Sequence, residues 1–107
     1  MPDTPSVAQQ VAGELAPKLV EITDSVLFGD VWERTELSKR DRSLVTVAAL
    51  VALCRTEQLP FHLNFARQNG LTEQELVEVI THLAFYAGWP AAMSAITRAR
   101  EVFAADE

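Results

Sequence analysis

The sequence contains 107 residues, of which 49% are hydrophobic and 22% charged, and its formal net charge is −6. This length fits a single domain over residues 1–107, and no repeat or shift in composition divides it. The negative charge argues against nucleic acid or an anionic membrane as a partner, because both are polyanions. Small molecules and other protein chains remain as possible partners. The chain opens without a basic segment followed by an apolar run, so we expect a cytoplasmic protein.

The first predicted element is a helical region that is broken near its middle. We expect residues 1–5 to be frayed. Apolar side chains recur at helical spacing over residues 6–27, but Pro17 should kink or split this helix because proline removes a backbone donor. Gly29 should end it. The apolar positions are Val7, Val11, Leu15, Leu19, Ile22 and Val26.

A connector of irregular structure is predicted next, over residues 30–37. Within it, the large apolar side chains of Val31 and Trp32 should pack onto the core. Ser38 then offers a side-chain oxygen that can cap the amino terminus of the following helix.

The helix predicted over residues 39–53 is the most apolar element of the chain. The twelve residues from Ser43 to Cys54 include no charge, so the helix should be buried on nearly every face. Such a run is too short to cross a hydrocarbon layer of about 30 Å, which excludes a membrane span. A small domain has difficulty surrounding this helix alone, so we expect a second subunit to cover part of it.

A further helix is predicted over residues 57–69. Thr56 should cap it, and Pro60 is tolerated in its first turn, where backbone amides lack partners within the helix. Gly70 should end it by adopting a left-handed backbone conformation.

The last two helices have the clearest end signals. Thr72 and Glu75 form a capping-box pattern that opens one helix, and Gly88 should end it. Pro90 is expected at the first position of the final helix, whose apolar face carries mostly small side chains. No segment alternates with period two, so we predict an all-α bundle of five to six helices without a sheet. The apolar positions are Leu76, Val79, Ile80, Leu83, Ala84, Ala92, Ile96, Ala99 and Phe103.

Three motifs occur in an informative order: the run Arg42–Ala49, the spacing from His62 to Gly70, and the run Tyr86–Ala92. From about residue 28 to 103 the chain resembles the carboxymuconolactone decarboxylase family of the alkylhydroperoxidase-D-like superfamily. This resemblance implies the helical bundle of that superfamily, a homo-oligomer such as a trimer or hexamer, and no cofactor.

The peroxidase branch of the superfamily carries a Cys-x-x-Cys pair, and a histidine follows the pair by four residues. With His62 on that histidine, Arg55 and Gln58 take the cysteine positions, and Ser43 stands where the branch has a glutamate. A peroxidase of that type needs both thiols, so the resemblance favours the decarboxylase branch, which acts on gamma-carboxymuconolactone. Cys54, the single cysteine, is interpreted as an inert buried thiol. A third alternative, weak peroxidase or antioxidant activity through Cys54, would require the thiol to be exposed and its pKa to be lowered.

Decarboxylation of such a lactone needs no cofactor, because the conjugated carbonyl accepts the electrons. The protein must hold a carboxylate and return a proton to carbon. We therefore expect His62 to be the proton donor, with Arg42 and Arg55 as ligands of the substrate carboxylate. Gln58 should share a helical face with Arg55 and His62, near a helix amino terminus that favours an anion. The alternative is that His62 is a hydrogen-bonded core or interface residue.

A second candidate region follows in the next helix. His82, Phe85 and Trp89 are three and four residues apart, so they should share a face and form a pocket wall, with His82 and Trp89 as substrate-binding candidates. The alternative is an aromatic packing stripe that contains a satisfied histidine. We expect no metal site, since no carboxylate is placed beside either histidine by spacing.

Two functional hypotheses result. The first is a cofactor-independent lyase that acts on a small carboxylated lactone or related ring compound in aromatic catabolism. The second is a non-catalytic oligomeric binding module on the same fold. A cleft that joins His62 to an arginine would favour the enzyme, and a His62 packed dry against its neighbours would favour the module.

Overall fold

A computed structural model describes residues 5–105 of the chain. Residues 1–4, most of the segment expected to be frayed, lie outside the described residues, and Pro5 is exposed. Backbone contacts divide the chain into two units on either side of the bond between Ser38 and Lys39. All regular structure in the described residues is helical, which confirms the all-α prediction.

The first unit consists of short helical pieces. Helix α1 spans Val7–Ala12 and α2 spans Pro17–Ile22, so the predicted break occurs at the proline. Pro17 opens α2, a position where its missing N–H breaks no helical hydrogen bond. A π-helical turn, Thr23–Phe28, continues α2, and a 3₁₀ turn, Val31–Glu33, follows.

Burial in the first unit differs from the sequence pattern. Leu15 is 93% exposed, and the other apolar positions of the predicted broken helix are also exposed. Val20 is buried instead. Trp32 is buried as expected and stacks on Phe28, with ring centroids 5.9 Å apart. The expectation that Val31 is buried too was wrong, because this side chain is exposed.

The second unit is a bundle of four helices around one hydrophobic core. These are α3, Lys39–Ala52; α4, Leu59–Gln68; α5, Glu73–Ala87; and α6, Trp89–Ala104. Their inner faces meet in a single cluster, as expected when each helix carries an apolar stripe. The buried members are Val47, Val51, Leu59, Leu63, Ala66, Leu71, Leu76, Ile80, Ala84, Ala92, Ala95, Ala99 and Val102.

Helix α3 is buried on one face only. Ser43, Val47 and Val51, each four residues from the next, are at most 1% exposed. Val45 and Leu53, on the outer side, are 59% and 65% exposed. The single chain covers α3 from one side only, so burial on nearly every face by a second subunit stays a prediction. No helix among residues 5–105 is long and apolar enough to span a membrane.

The connection from α4 to α5 follows the sequence signals closely. Gly70 adopts a φ of 106°, and the Leu71 N–H donates to the Ala66 carbonyl at 3.0 Å. The Thr72 hydroxyl accepts from the Glu75 N–H at 3.0 Å, while the Glu75 carboxylate accepts from the Thr72 N–H at 2.9 Å. The predicted left-handed cap and capping box are both confirmed.

Helices α5 and α6 form a hairpin with a one-residue connection. Gly88, at a φ of 107°, is the only residue between them. Pro90 is the second residue of α6 and not the first as expected, because the helix already begins at Trp89. Small side chains let α6 approach its neighbours closely; those buried are Ala91, Ala92, Ala95 and Ala99.

Candidate active site

His62 lies at the fourth position of α4, close to the amino terminus of that helix. The residue is half-buried, and its Nδ1 atom is out of contact with solvent. Burial lowers the pKa of His62 below its ordinary value of 6.5, because a less hydrated site disfavours the charged imidazolium. The resting side chain is therefore mainly neutral at pH 7.

Two aromatic rings contact the imidazole of His62. Phe61 meets it edge-on with centroids 4.9 Å apart, and Phe65 lies at 6.3 Å. The two phenylalanine rings are themselves 5.6 Å apart. Electrostatic interactions at the histidine are strengthened by such apolar surroundings. Neither phenylalanine was predicted as a site residue, although their positions next to and three residues after the histidine were the available signal.

The loop before α4 departs from the sequence prediction. Because α4 begins at Leu59, Arg55 is outside the helix and cannot share a helical face with His62. Arg55 is exposed, and its N–H donates to the Leu50 carbonyl at 2.8 Å, so its backbone continues the end of α3. Gln58 occupies the cap position of α4, with an exposed side chain that makes no capping hydrogen bond.

Two further predictions for this loop were wrong. Thr56 does not cap α4, because the helix starts three residues later. Cys54 is exposed rather than buried, since α3 ends at Ala52 and the cysteine stands in the turn beyond it. Its φ of 58° is unusual for a residue with a side chain.

Arg42 is the better sheltered of the two candidate arginines. It lies in the first turn of α3, is half-buried, and its Nε atom is out of contact with solvent. The next residue, Ser43, is fully buried and accepts a hydrogen bond from the Asn69 side chain at 2.9 Å. This bond joins the first turn of α3 to the end of α4. Asn69 was not identified from sequence, although a serine opening an apolar run indicated a buried polar contact.

The predicted aromatic wall on α5 separates into two pairs. His82 stacks on Tyr86, with ring centroids 4.8 Å apart, whereas Phe85 meets Trp89 edge-on at 5.6 Å. All four residues are exposed, so a buried packing stripe is also a wrong description. His82 lines a depression between α3 and α5, and Trp89 lines another between α5 and α6. Each pair belongs to a different surface.

Within residues 5–105, no group of three or more His, Cys, Asp or Glu side chains is placed to hold a metal ion.

His62 lies in the first part of α4, and Arg42 lies in the first part of α3. The family model described as carboxymuconolactone decarboxylase family matches residues 17–101. The chain belongs to the carboxymuconolactone decarboxylase family. The resemblance indicated by the sequence motifs is thereby confirmed. The matched segment extends from the start of α2 into α6 and includes both candidate residues.

Two relatives within this similarity are named decarboxylases. The chain is 47% identical over 76 residues to a protein named 4-carboxymuconolactone decarboxylase from Acinetobacter baylyi, an alignment that covers 71% of this chain and 57% of the relative. It is 33% identical over 76 residues to a nitrosuccinic acid decarboxylase from Metarhizium robertsii, with coverage of 71% and 53%. The chain thus spans little more than half the length of these curated relatives.

Proposed function

We propose that this chain is a cofactor-independent decarboxylase of a small carboxylated lactone or related compound, with a role in aromatic catabolism. The supporting observation is the 47% identity to a protein named 4-carboxymuconolactone decarboxylase, over 76 residues or 71% of this chain. The half-buried His62 adds a group suited to proton transfer within the segment that the family model matches.

In the proposed mechanism Arg42 binds the substrate carboxylate and His62 supplies the proton. The bond from the carboxyl carbon to the ring breaks, carbon dioxide leaves, and the electron pair moves into the conjugated carbonyl. A proton must then reach carbon. Burial keeps His62 mainly neutral at rest, but an anionic substrate beside the imidazole favours the charged form. Substrate binding therefore favours protonation of His62, and the reaction consumes this proton.

Arg55, Gln58, His82 and Trp89 remain part of the proposal as outer contacts of the substrate. All four side chains are exposed, so each contributes less electrostatic energy than a sheltered group would. Arg42 is consequently the first choice for the carboxylate.

The proposal includes a homo-oligomer, in the trimeric or hexameric form that the family resemblance implies. It is supported by the outer face of α3, where Val45 and Leu53 are exposed within a stretch that carries no charge. An uncharged exposed helix face is typical of a surface that another protein chain covers. We also propose that both units belong to one family domain, since the matched segment 17–101 crosses the boundary at Ser38.

The test is the release of carbon dioxide from gamma-carboxymuconolactone by the purified protein, with nitrosuccinic acid as a second substrate. We expect turnover of the lactone, lost in His62→Ala while helicity by circular dichroism is retained. Turnover of nitrosuccinic acid alone would replace the lactone as substrate. A folded wild type that turns over neither compound would contradict the enzyme and leave the binding module as the better hypothesis.

A further inference from the structure

A shallow groove of about 440 Å³ lies between α3 and α5. Its floor is apolar and includes Leu44, Val79 and Leu83. We call it the α3–α5 groove. Its lining omits His62, Arg42 and Arg55 and includes His82, one of the proposed outer contacts of the substrate.

Acidic groups predominate at the rim of the α3–α5 groove. Arg40 forms an ion pair with Glu75, and its guanidinium also lies 3.5 Å from the carboxylate of Asp41. Glu78 adds another exposed carboxylate on the same rim. Of the residues that line the groove, two are carboxylates, Glu75 and Glu78, against the one guanidinium of Arg40, and this excess disfavours an anionic substrate here. An apolar surface that ends in a positive charge fits better.

The chain itself carries such a surface on α6. Trp89 and Met93 are 58% and 56% exposed, and Arg100 is exposed further along the same helix. These residues are four and seven positions apart, so they lie along one side of α6. We call this surface the α6 ridge. Large exposed apolar side chains in a row are characteristic of a covered surface rather than of a monomer.

The spacing along the ridge matches the spacing along the groove. Seven residues separate Met93 from Arg100, and seven separate Glu75 from His82. Both intervals correspond to about 10.5 Å of helix. With the helices antiparallel, Arg100 meets the acidic end of the groove while Met93 lies beside His82.

Aromatic side chains add to this match. In the same antiparallel alignment, Trp89 falls one turn beyond Met93, next to Tyr86. Tyr86 is 77% exposed and stacked on His82 in the single chain. A tryptophan that covers this pair would bury apolar area and add a ring contact.

We propose that the α6 ridge of one copy of this chain docks antiparallel in the α3–α5 groove of a second copy. This inference depends on the homo-oligomer proposed above and does not depend on the decarboxylase reaction. The ridge and groove are different surfaces, on the α6 side and the α3 side of α5, so each copy offers both. A contact of this head-to-tail kind closes into a ring when the rotation between successive copies is a whole fraction of a turn.

The test uses two charge reversals on exposed residues of the full chain, Glu78→Arg and Arg100→Glu. Either reversal alone places like charges across the interface, and we expect the dissociation constant from sedimentation equilibrium to rise at least about tenfold. An equimolar mixture of the two variants restores opposite charges wherever the variants alternate, so it should reassemble in a ring of six but not in a ring of three. The double variant should assemble like the wild type. Glu57→Arg, an exposed reversal outside the groove, is the matched control and should assemble normally.

The outcomes separate this inference from the function. If the wild type assembles and neither single reversal weakens it, the docking assignment is overturned while the homo-oligomer stands. A wild type that remains monomeric at every concentration overturns both. Circular dichroism of each variant establishes that a loss of assembly is not a loss of folding. Carbon dioxide release by the wild type is a separate measurement and decides neither outcome.

Discussion

Two short loops join consecutive helices in the second unit, and they are built differently. The loop from α3 to α4, residues 53–58, places Cys54 in a left-handed conformation and leaves the start of α4 without a side-chain cap. The loop from α4 to α5, residues 69–72, places Gly70 in its left-handed position and completes a capping box through Thr72. The first loop contradicts local preferences that the second satisfies.

This difference in backbone strain and capping indicates a functional role for the first loop and a structural role for the second. A non-glycine residue at positive φ costs free energy and persists where the surrounding structure or a function requires it. The strained loop leads directly to His62, four residues after Gln58, whereas the well-capped loop leads to a helix start held by its own side chains. We expect substitutions near the first loop to affect activity and substitutions in the second to affect stability.

The largest expected effect is a loss of activity, which tests whether the two loops have different roles. His62→Asn removes the proton donor while it keeps a polar side chain of moderate size, so kcat for carbon dioxide release should fall at least about 100-fold. Thr72→Ala, in the second loop, should leave kcat unchanged when both proteins are assayed well below their melting temperatures. Equal losses in the two variants would remove the proposed distinction between the loops.

The next effect is on stability in the second loop. Gly70→Ala introduces a side chain at a φ of 106°, where nothing lies within 4 Å of the added carbon, so the cost comes from the backbone alone. We expect unfolding free energy to fall by about 1–2 kcal/mol, measured by urea denaturation. Gln68→Ala, an exposed change at the end of the same helix, is the control. A Gly70→Ala protein as stable as the control would show that the turn rearranges without cost.

A smaller effect of opposite sign is expected in the first loop. Cys54→Gly relieves the positive φ and should raise unfolding free energy by about 0.5–1 kcal/mol, after the entropy that glycine adds to the unfolded chain. Cys54→Ala removes the thiol but keeps the strain, so it should stay close to wild type. If the alanine variant is stabilised as much as the glycine variant, the cause is the thiol and not the backbone.

The smallest effect is a difference in pH dependence. Burial lowers the pKa of His62, so the unfolded chain binds this proton more readily than the folded chain. The stabilisation from neutral His62 is complete above pH 6.5 and is lost as the pH falls through its lowered pKa. In His62→Asn, the melting temperature should decrease less than in the wild type as the pH falls from about 7 to 5.5. Gln68→Ala, an exposed change that removes no titratable group, should keep the wild-type profile.

Glu75 acts in a lower pH range. The Thr72 N–H that donates to its carboxylate lowers the pKa of Glu75, and Arg40 lowers it further. The folded state favours the charged carboxylate, so this stabilisation is present above pH 4.5 and is lost as the pH falls below that value. A His62→Asn protein should therefore still lose stability in stronger acid. A completely flat profile would contradict the role of Glu75 in the capping box.

The parts of the fold that the sequence predicts well depend on a few adjacent residues. The capping box at Thr72 and the ends at Gly70 and Gly88 are local hydrogen-bond and backbone effects, and all three are confirmed. The parts predicted wrongly depend on the surroundings of a helix. The uncharged run of α3 indicates how apolar the helix is but not how many of its faces the single chain covers.

The candidate site shows the same limit. Sequence spacing placed Arg55 and His62 on one helix, but the position of the helix start decided otherwise, and Thr56 gave a false signal for that start. The half-burial of His62 and Arg42 depends on packing that no local pattern encodes. Family motifs identified the histidine. Only the structure shows that Arg42 is better sheltered than Arg55 and is therefore the better candidate for the substrate carboxylate.

The one-residue connection at Gly88 has a consequence for how the chain folds. Closing a loop costs less entropy when few residues must be ordered, and here a single non-helical residue brings α5 against α6. Contacts between neighbouring segments of this kind form early in folding, before distant segments meet. The α5–α6 hairpin is thus suited to act as the nucleus on which α3 and α4 assemble.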